Sequence, residues 1–462
     1  MIIGWWARAA TLLLALCCFL LSFPASAADS LNWNTNRNRV SADIKSEDLL
    51  PLLEQIASTT GWRVLVEPNT LHKVSAKFND LPPGEALHML LGDLNFALVP
   101  GTNSTSRLFV FRTARDKATQ VVRAAKRHDP HREPEIIPNE LIVRLKPGMK
   151  IEDLAKQLGA KVVGRIDGLN AYRLQFEDPE ATTAAREQLA GNPDVASVEN
   201  NFQIERPEIP QQVPGNAPAP RLELKPPTGD GRVVIGLIDT AVQPLGNNLD
   251  QFLLKQLSVS GDAQLDPSSP SHGTSMAETM LRTLQMLGNG SSAVQILPVD
   301  VYGANETTST FDVAQGIALA INQGGAKIIN LSLGSPADSP VVRDLIAEGN
   351  QKGITFYAAK GNEPVSTPYY PAADAGATAV TALDPNGQVA AWANKASIST
   401  VGAPGTVLIT YNNQTYVVQG TSPATAITSA TAANLMDTKS LSAQDARSRI
   451  LQGATQATVP VK

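Results

Sequence analysis

Short, nearly continuous apolar runs that alternate with helical stretches, repeated through the last half of the chain, leave few architectures open. The runs are Val233 to Asp239, Val294 to Val301, Ala326 to Leu333 and Ile354 to Ala359. Between them the apolar period predicts helices over His272 to Leu287, Phe311 to Gln323 and Val341 to Gln351. Strands apolar on both sides are buried on both faces, and strands separated by helices pair in parallel. The expectation is an α/β domain over 229–462, a parallel sheet with helices on both faces. Chemistry in such sheets gathers at the C-terminal ends of the strands.

Three residues stand where chemistry needs them. Asp239 ends the first run in Leu237-Ile238-Asp239-Thr240. His272 opens a helix in Ser271-His272-Gly273-Thr274, and no other histidine follows His131. Ser422 lies in Gln419-Gly420-Thr421-Ser422-Pro423, between the β-rich run Thr415 to Val418 and an Ala/Thr-rich helical stretch. Pro423 suits a first helical turn, where its missing N–H has no partner to lose. Two uses of Ser422 fit this place: an N-cap, or a nucleophile at the positive end of a helix. A serine becomes nucleophilic through a neighbouring base, and the base needs a carboxylate to hold its tautomer.

The chain order Asp, His, Ser is that of subtilisin, and further motifs agree. Asn330-Leu331-Ser332-Leu333-Gly334, Ala358-Ala359-Lys360-Gly361-Asn362, Tyr370-Pro371-Ala372 and Ala403-Pro404-Gly405 follow in the same order. From Gly231 onward the chain resembles the subtilisin-like serine peptidases. The resemblance implies that Ser422 attacks, His272 moves the proton, Asp239 orients His272, and Asn362 with the Ser422 N–H stabilises the oxyanion. It implies that Ser332, Leu333 and Gly334 pair by backbone with an extended polypeptide substrate. Glu363 is expected to line the pocket for the residue before the scissile bond and to favour Arg or Lys there. The chemistry requires no cofactor and no metal. Structural calcium is common in that family, but no acidic loop here has convincing ligand spacing.

Departures from the pattern stand in the same segments. Ala241 replaces a usual glycine after Asp239-Thr240, Pro423 and Ala426 replace methionine and proline, and Lys360 replaces a small residue. None removes a catalytic group. They bear on rate more than on reaction class.

Two small α+β domains are expected ahead of the sheet. Over 136–206 the pattern predicts strands Glu140 to Leu145, Ala171 to Phe176 and Val195 to Ile204, with helices Ile151 to Leu158 and Pro179 to Ala190. Pro138-Asn139-Glu140-Leu141-Ile142-Val143 and Val195-Ala196-Ser197-Val198-Glu199-Asn200 resemble the propeptide of subtilisin-like peptidases, which implies folding assistance and inhibition. The proline-rich stretch 207–228 reads as an extended linker, in or near which self-cleavage is expected. Over 28–112, strands Val40 to Ile44, Trp62 to Val66, Val74 to Phe78 and Leu108 to Phe111 alternate with helices Leu49 to Thr59 and Pro83 to Leu94. Thr60-Gly61-Trp62 and Glu85 to Leu91 resemble the short N-terminal domain of secretins and TonB-dependent receptors, which implies an envelope protein partner for residues 39–112. The Arg- and Lys-rich stretch 113–135 reads as a basic linker.

Residues 1–27 read as a signal peptide: Arg8, an apolar run from Thr11 to Phe23 and a small-residue exit at Ala25-Ser26-Ala27. The only two cysteines, Cys17 and Cys18, lie inside it. The exported chain, periplasmic or secreted, therefore has no membrane span and no disulfides. A net charge of −5 gives no footprint for nucleic acid. The expected function is an exported, self-processing serine endopeptidase. The alternative is a peptide-binding or envelope interaction protein with a subtilisin-like fold and little turnover.

Overall fold

The computed structural model describes residues 30–457 apart from 36, 68–69, 71, 100–105, 119, 123–132, 214–221, 227–232 and 247. The expected signal peptide lies outside the described residues. The chain divides into two units after residue 128.

The first unit holds β1 (Ser30–Asn34), β2 (Arg39–Asp48), α1 (Leu49–Thr60), β3 (Arg63–Val66), β4 (Lys73–Leu81), α2 (Pro83–Leu91), β5 (Asn95–Val99), β6 (Arg107–Phe111) and β7 (Gln120–Val122). They form two sheets, β1-β2-β4 and β5-β6-β3-β7. Leu52, Leu53 and Ile56 of α1 and Leu87, Leu90 and Leu91 of α2 share one core with Val64, Leu108 and Val110. Gly61 ends α1 in a left-handed conformation, φ 69°. Helix α2 stops at Leu91 rather than Leu94, because Gly92 at φ 55° turns the chain into β5. The expected basic linker is in part structured: Gln120–Val122 pairs with β3.

The second unit begins with β8 (Ile136–Leu145), α3 (Ile151–Leu158), β9 (Lys161–Ile166), β10 (Ala171–Gln175), α4 (Pro179–Ala190) and β11 (Val195–Glu205). Asp178 caps α4 by accepting the Ala181 N–H at 2.7 Å, and Pro179 occupies its first turn. Alternation along β8 decides which face meets what. Leu141, Val143 and Leu145 pack under α3 and α4. Ile142, with Ile166, Ala171 and Ile204, instead joins a core shared with the domain that follows.

That domain contains β12 (Gln211–Gln212), β13 (Val234–Asp239), β14 (Leu257–Ser258), α5 (His272–Leu287), β15 (Gln295–Asp300), β16 (Thr307–Ser309), α6 (Thr310–Asn322), β17 (Ile328–Leu331), α7 (Pro340–Gln351), β18 (Thr355–Ala359), β19 (Ala377–Leu383), β20 (Thr400–Pro404), β21 (Thr406–Tyr411), β22 (Gln414–Gln419), α8 (Thr421–Lys439) and α9 (Ala443–Ala457). A seven-stranded sheet runs β14-β15-β13-β17-β18-β19-β20, with every pairing parallel. One face packs on Phe311, Val313, Val341 and Val342 of α6 and α7. The other packs on Met276 and Met280 of α5 and Ala426 and Ala430 of α8.

The α+β domain sits on the α6 and α7 face. Its apolar contacts matter most, since each buried aliphatic side chain contributes about 2 kcal/mol. Polar pairs fix the register. Glu199 accepts from the Val341 N–H at 2.9 Å and the Ser339 hydroxyl at 2.8 Å at the start of α7. Asn201 Oδ1 accepts from the Phe311 N–H and the Thr310 hydroxyl, both at 3.1 Å, at the start of α6. Arg173 faces both carboxylate oxygens of Asp312 at 3.2 Å, and Arg144 pairs with Asp344. β16 adds an antiparallel edge strand to β11. The stretch expected as a free linker, 207–228, also docks: Gln211–Gln212 pairs with β22, and Lys225 bridges to Ser291. Among the described residues no helix is long and apolar enough to cross a membrane.

Candidate active site

Asp239 ends β13, a strand buried along almost its whole length, and is itself fully buried. Ser271 starts α5, its hydroxyl accepting the Thr274 N–H at 3.0 Å, so that His272 becomes the first helical residue. The helix can cross close to the turn after β13 only because residue 273 is glycine; a Cβ there would collide with the Thr240 carbonyl. The crossing brings His272 Nδ1 to 2.8 and 2.9 Å from the two oxygens of Asp239. A carboxylate only accepts, so Nδ1 carries the proton and Nε2 is left as the basic nitrogen. Thr240 ties both partners: its N–H donates to Asp239 Oδ1 at 2.7 Å, and its hydroxyl accepts the Gly273 N–H at 2.8 Å. Ala241, where the family usually has glycine, needs no left-handed backbone, and its carbonyl accepts the Ser271 hydroxyl at 2.6 Å.

Ser422 is the second residue of α8, and Gly420 holds the N-cap place. Ser422 is therefore not the cap, and its hydroxyl does other work: it donates to the Ser332 carbonyl at 3.2 Å. No hydrogen bond joins it to His272. The Ser332 hydroxyl donates back to the Ser422 carbonyl at 3.2 Å and accepts from Asn330 Nδ2 at 2.9 Å. Asn330 in turn accepts the Ser429 hydroxyl at 2.9 Å, fastening α8 to β17.

Asn362 belongs to the same cluster. Its Oδ1 accepts the Thr421 N–H at 2.7 Å and the Thr421 hydroxyl at 3.0 Å, while that hydroxyl also receives the Gly361 N–H at 3.1 Å. With Oδ1 occupied, Nδ2 is the free donor. Gly420, at φ 151°, passes so close that a Cβ would lie 2.9 Å from Asn362 Nδ2. Lys360, two residues before Asn362, is only 8% exposed, and burial pushes its ammonium below the ordinary value.

Of the residues expected to meet substrate, Leu333 buries its side chain in the core shared with α6 and α7, leaving its backbone for pairing. Gly334 and Glu363 line a small cavity of about 70 Å³ with Tyr369, and Gln203 and Glu205 of β11 form part of its wall. The Tyr369 hydroxyl donates to Glu363 Oε2 at 2.9 Å. Thr240, Thr421 and Tyr369 were not singled out from the sequence. Thr421 had a local signal, its place directly before Ser422. Asp300 was also missed. It lies beside Asp239 in the sheet register, and burial, with the Asp239 charge adding, raises its pKa.

Comparison with known proteins identifies the family and the fold. The Subtilase family matches residues 230–461, and the fervidolysin N-terminal prodomain matches residues 123–201. M-protease of Shouchella clausii is 31% identical over 248 residues, which is 51% of this chain and 62% of that protein. Subtilisin Savinase of Lederbergia lenta is 33% identical over 218 residues, 45% of this chain and 77% of that protein. The chain thus spans less than two thirds of M-protease. Fervidolysin of Fervidobacterium pennivorans shares the fold at a TM-score of 0.51 and 17% identity, covering 66% of this chain and 55% of that one. The expected subtilisin-like α/β fold is the fold observed, and the chain belongs to the subtilase family.

Proposed function

We propose that this protein is an exported serine endopeptidase made as a self-processing precursor, with polypeptides as substrates. The observation that carries the reading is the buried Asp239–His272 pair, at 2.8 Å, at the start of a helix that packs on the helix carrying Ser422. In this reading His272 Nε2 takes the Ser422 proton as Oγ adds to the substrate carbonyl carbon. The oxygen becomes negative where Asn362 Nδ2 and the Ser422 N–H can donate to it. The proton then passes to the leaving amine, and water releases the acyl group. The protease names of its relatives, M-protease and subtilisin, support the same class. The domain over 136–206 would act as the prodomain. Residues 39–112 would serve as an envelope interaction module, and residues 1–27 as the export signal.

Intact mass tests this, with the chain lacking residues 1–27 followed over hours beside Ser422→Ala. A cut between roughly residues 200 and 230 in the parent alone supports a self-processing peptidase. If both stay whole and neither reacts with a serine-directed phosphonate, the reading fails. The second reading, a peptide-binding protein with little turnover, is favoured by one observation: the Ser422 hydroxyl donates to Ser332 rather than to His272.

A further inference from the structure

The end of β15 carries a buried carboxylate that the proposed mechanism does not use. Asp300 lies opposite Asp239 in the parallel register of β15 and β13. Side chains alternate along a strand. Ile235 and Leu237 of β13 and Ile296 of β15 pack in the core under α5 and α8, so Asp239 and Asp300 stand side by side on that face. Leu297, Val299 and Val301 take the opposite one.

Asp300 is 1% exposed. Its Oδ1 accepts the Tyr302 N–H at 2.9 Å and the Gly303 N–H at 3.0 Å, which holds the turn after β15. Its Oδ2 is buried with no hydrogen-bond partner among the described residues. The turn uses one oxygen, and asparagine would supply it. A carboxylate is costlier to bury than an amide, so the turn alone does not account for aspartate here.

The groups around Asp300 come from several elements. β13 brings Asp239, and α5 brings His272 bonded to it. The prodomain tail brings Arg206, whose Nη2 donates to the Gly303 carbonyl at 2.8 Å and whose guanidinium lies 5.5 Å from the Tyr302 ring centre. Tyr302 is fully buried, and burial raises its pKa well above the ordinary value, so its hydroxyl stays neutral. β14 sets Ser258 opposite Asp300 and adds no charge there. Burial raises the Asp300 pKa and the Asp239 charge adds to the rise, while the two amides and Arg206 oppose it.

A negative charge near a histidine favours its protonated form. In acylation His272 becomes an imidazolium as it takes the Ser422 proton. We propose that Asp300 is a positioning residue of the active site, a second buried carboxylate that acts through the Asp239–His272 pair and favours the imidazolium. The proposal rests on the peptidase reading.

Two measurements test it. In the first, the chain lacking residues 1–27 and carrying Ser422→Ala is titrated by NMR with isotope-labelled histidine, the His272 signal being identified by its loss in His272→Gln. Asp300→Asn, which keeps an oxygen for the turn, is expected to lower the His272 midpoint on the order of one pH unit. Arg206→Gln, which removes the opposing charge, is expected to raise it by less. A midpoint that Asp300→Asn leaves in place, or that both variants move the same way, would overturn the proposal whatever the activity. Should Asp300→Asn not fold, the sign of the Arg206→Gln shift decides.

The second measurement follows phosphonate labelling of Ser422 against pH in the parent and in Asp300→Asn. The variant is expected to react roughly threefold slower on the alkaline plateau and faster on the acid limb, so that the two profiles cross. Labelling slowed equally at every pH would reduce Asp300 to a structural part of the turn. A parent that never labels would sink the peptidase reading, and the catalytic role of Asp300 with it, even where the NMR midpoints move.

Discussion

The Thr421 N–H donates to Asn362 Oδ1 at 2.7 Å, so the residue before the candidate nucleophile orients the amide that faces the candidate oxyanion. An amide with its oxygen already taken can turn only its nitrogen toward a substrate. Asn362→Leu should therefore lower kcat on the order of a hundred- to a thousand-fold, the scale known for subtilisin's own oxyanion asparagine, with little change in KM. Thr421→Val, which keeps the N–H bond and loses the hydroxyl contacts, should cost less. Steady-state kinetics on a peptide ester checks both, and a Thr421→Val loss equal to that of Asn362→Leu would contradict this division of labour.

Asp239→Asn should fold and bind but lose turnover by about ten-thousandfold, because an amide facing His272 Nδ1 favours the tautomer with its proton on the wrong nitrogen. Burst kinetics with an activated ester would show the acylation step slowed. An unchanged burst rate would mean that the Asp239–His272 pair is structural.

Glu199 makes prodomain docking pH-sensitive. Burial pushes its pKa up to about 7 from 4.5, against the opposing bonds from Ser339 and Val341; the Asp344 charge adds to the rise and Arg343 opposes it. Once released into water the carboxyl returns to its ordinary range, so the docked state holds more protons between those values. Docking is therefore strongest below the lower value and weakens as pH rises through about 7. The full loss is on the order of 3 kcal/mol. Hydrogen exchange at the Val341 amide, followed in Ser422→Ala and corrected for intrinsic rate, should show protection falling from pH about 5 to 8. Adding Glu199→Gln should flatten that fall, and a fall of the same size in both proteins would assign the effect to another group.

Glu363 accepts the Tyr369 hydroxyl on one carboxylate oxygen and lines the cavity beside Gly334. Peptides that differ only before the scissile bond should be cleaved faster with Lys than with Leu, and Glu363→Gln should remove the difference. Equal rates for Lys and Leu in the parent protein would end the idea.

Much of the fold was legible because its signals are local. Helices Ile151–Leu158, Pro179–Ala190 and His272–Leu287 have the bounds that the sequence predicts. Their starts are set by neighbours in the chain, such as Asp178 with Pro179, and Ser271. The short apolar runs became the parallel strands for an equally simple reason: a strand buried on both faces carries mostly apolar residues. What stayed hidden depends on partners distant in sequence. β12 is two residues of glutamine, with no apolar pattern, and is a strand only because the β22 edge lies beside it. β7 and β16 are similarly short, and each owes its pairing to a strand far along the chain.

The sequence by itself named the candidate reacting groups and their order along the chain: Asp239, His272 and Ser422 stand at element ends, which are marked locally, and Asn362 follows from the family resemblance. Tertiary structure alone decided which of their atoms are engaged. It closed the Asp239–His272 pair, gave the Asn362 oxygen to Thr421, and turned the Ser422 hydroxyl toward Ser332. A hydrogen bond is settled by which donors and acceptors crowd together once the sheet, the helices and the prodomain tail have packed, and local patterns carry no record of that crowding.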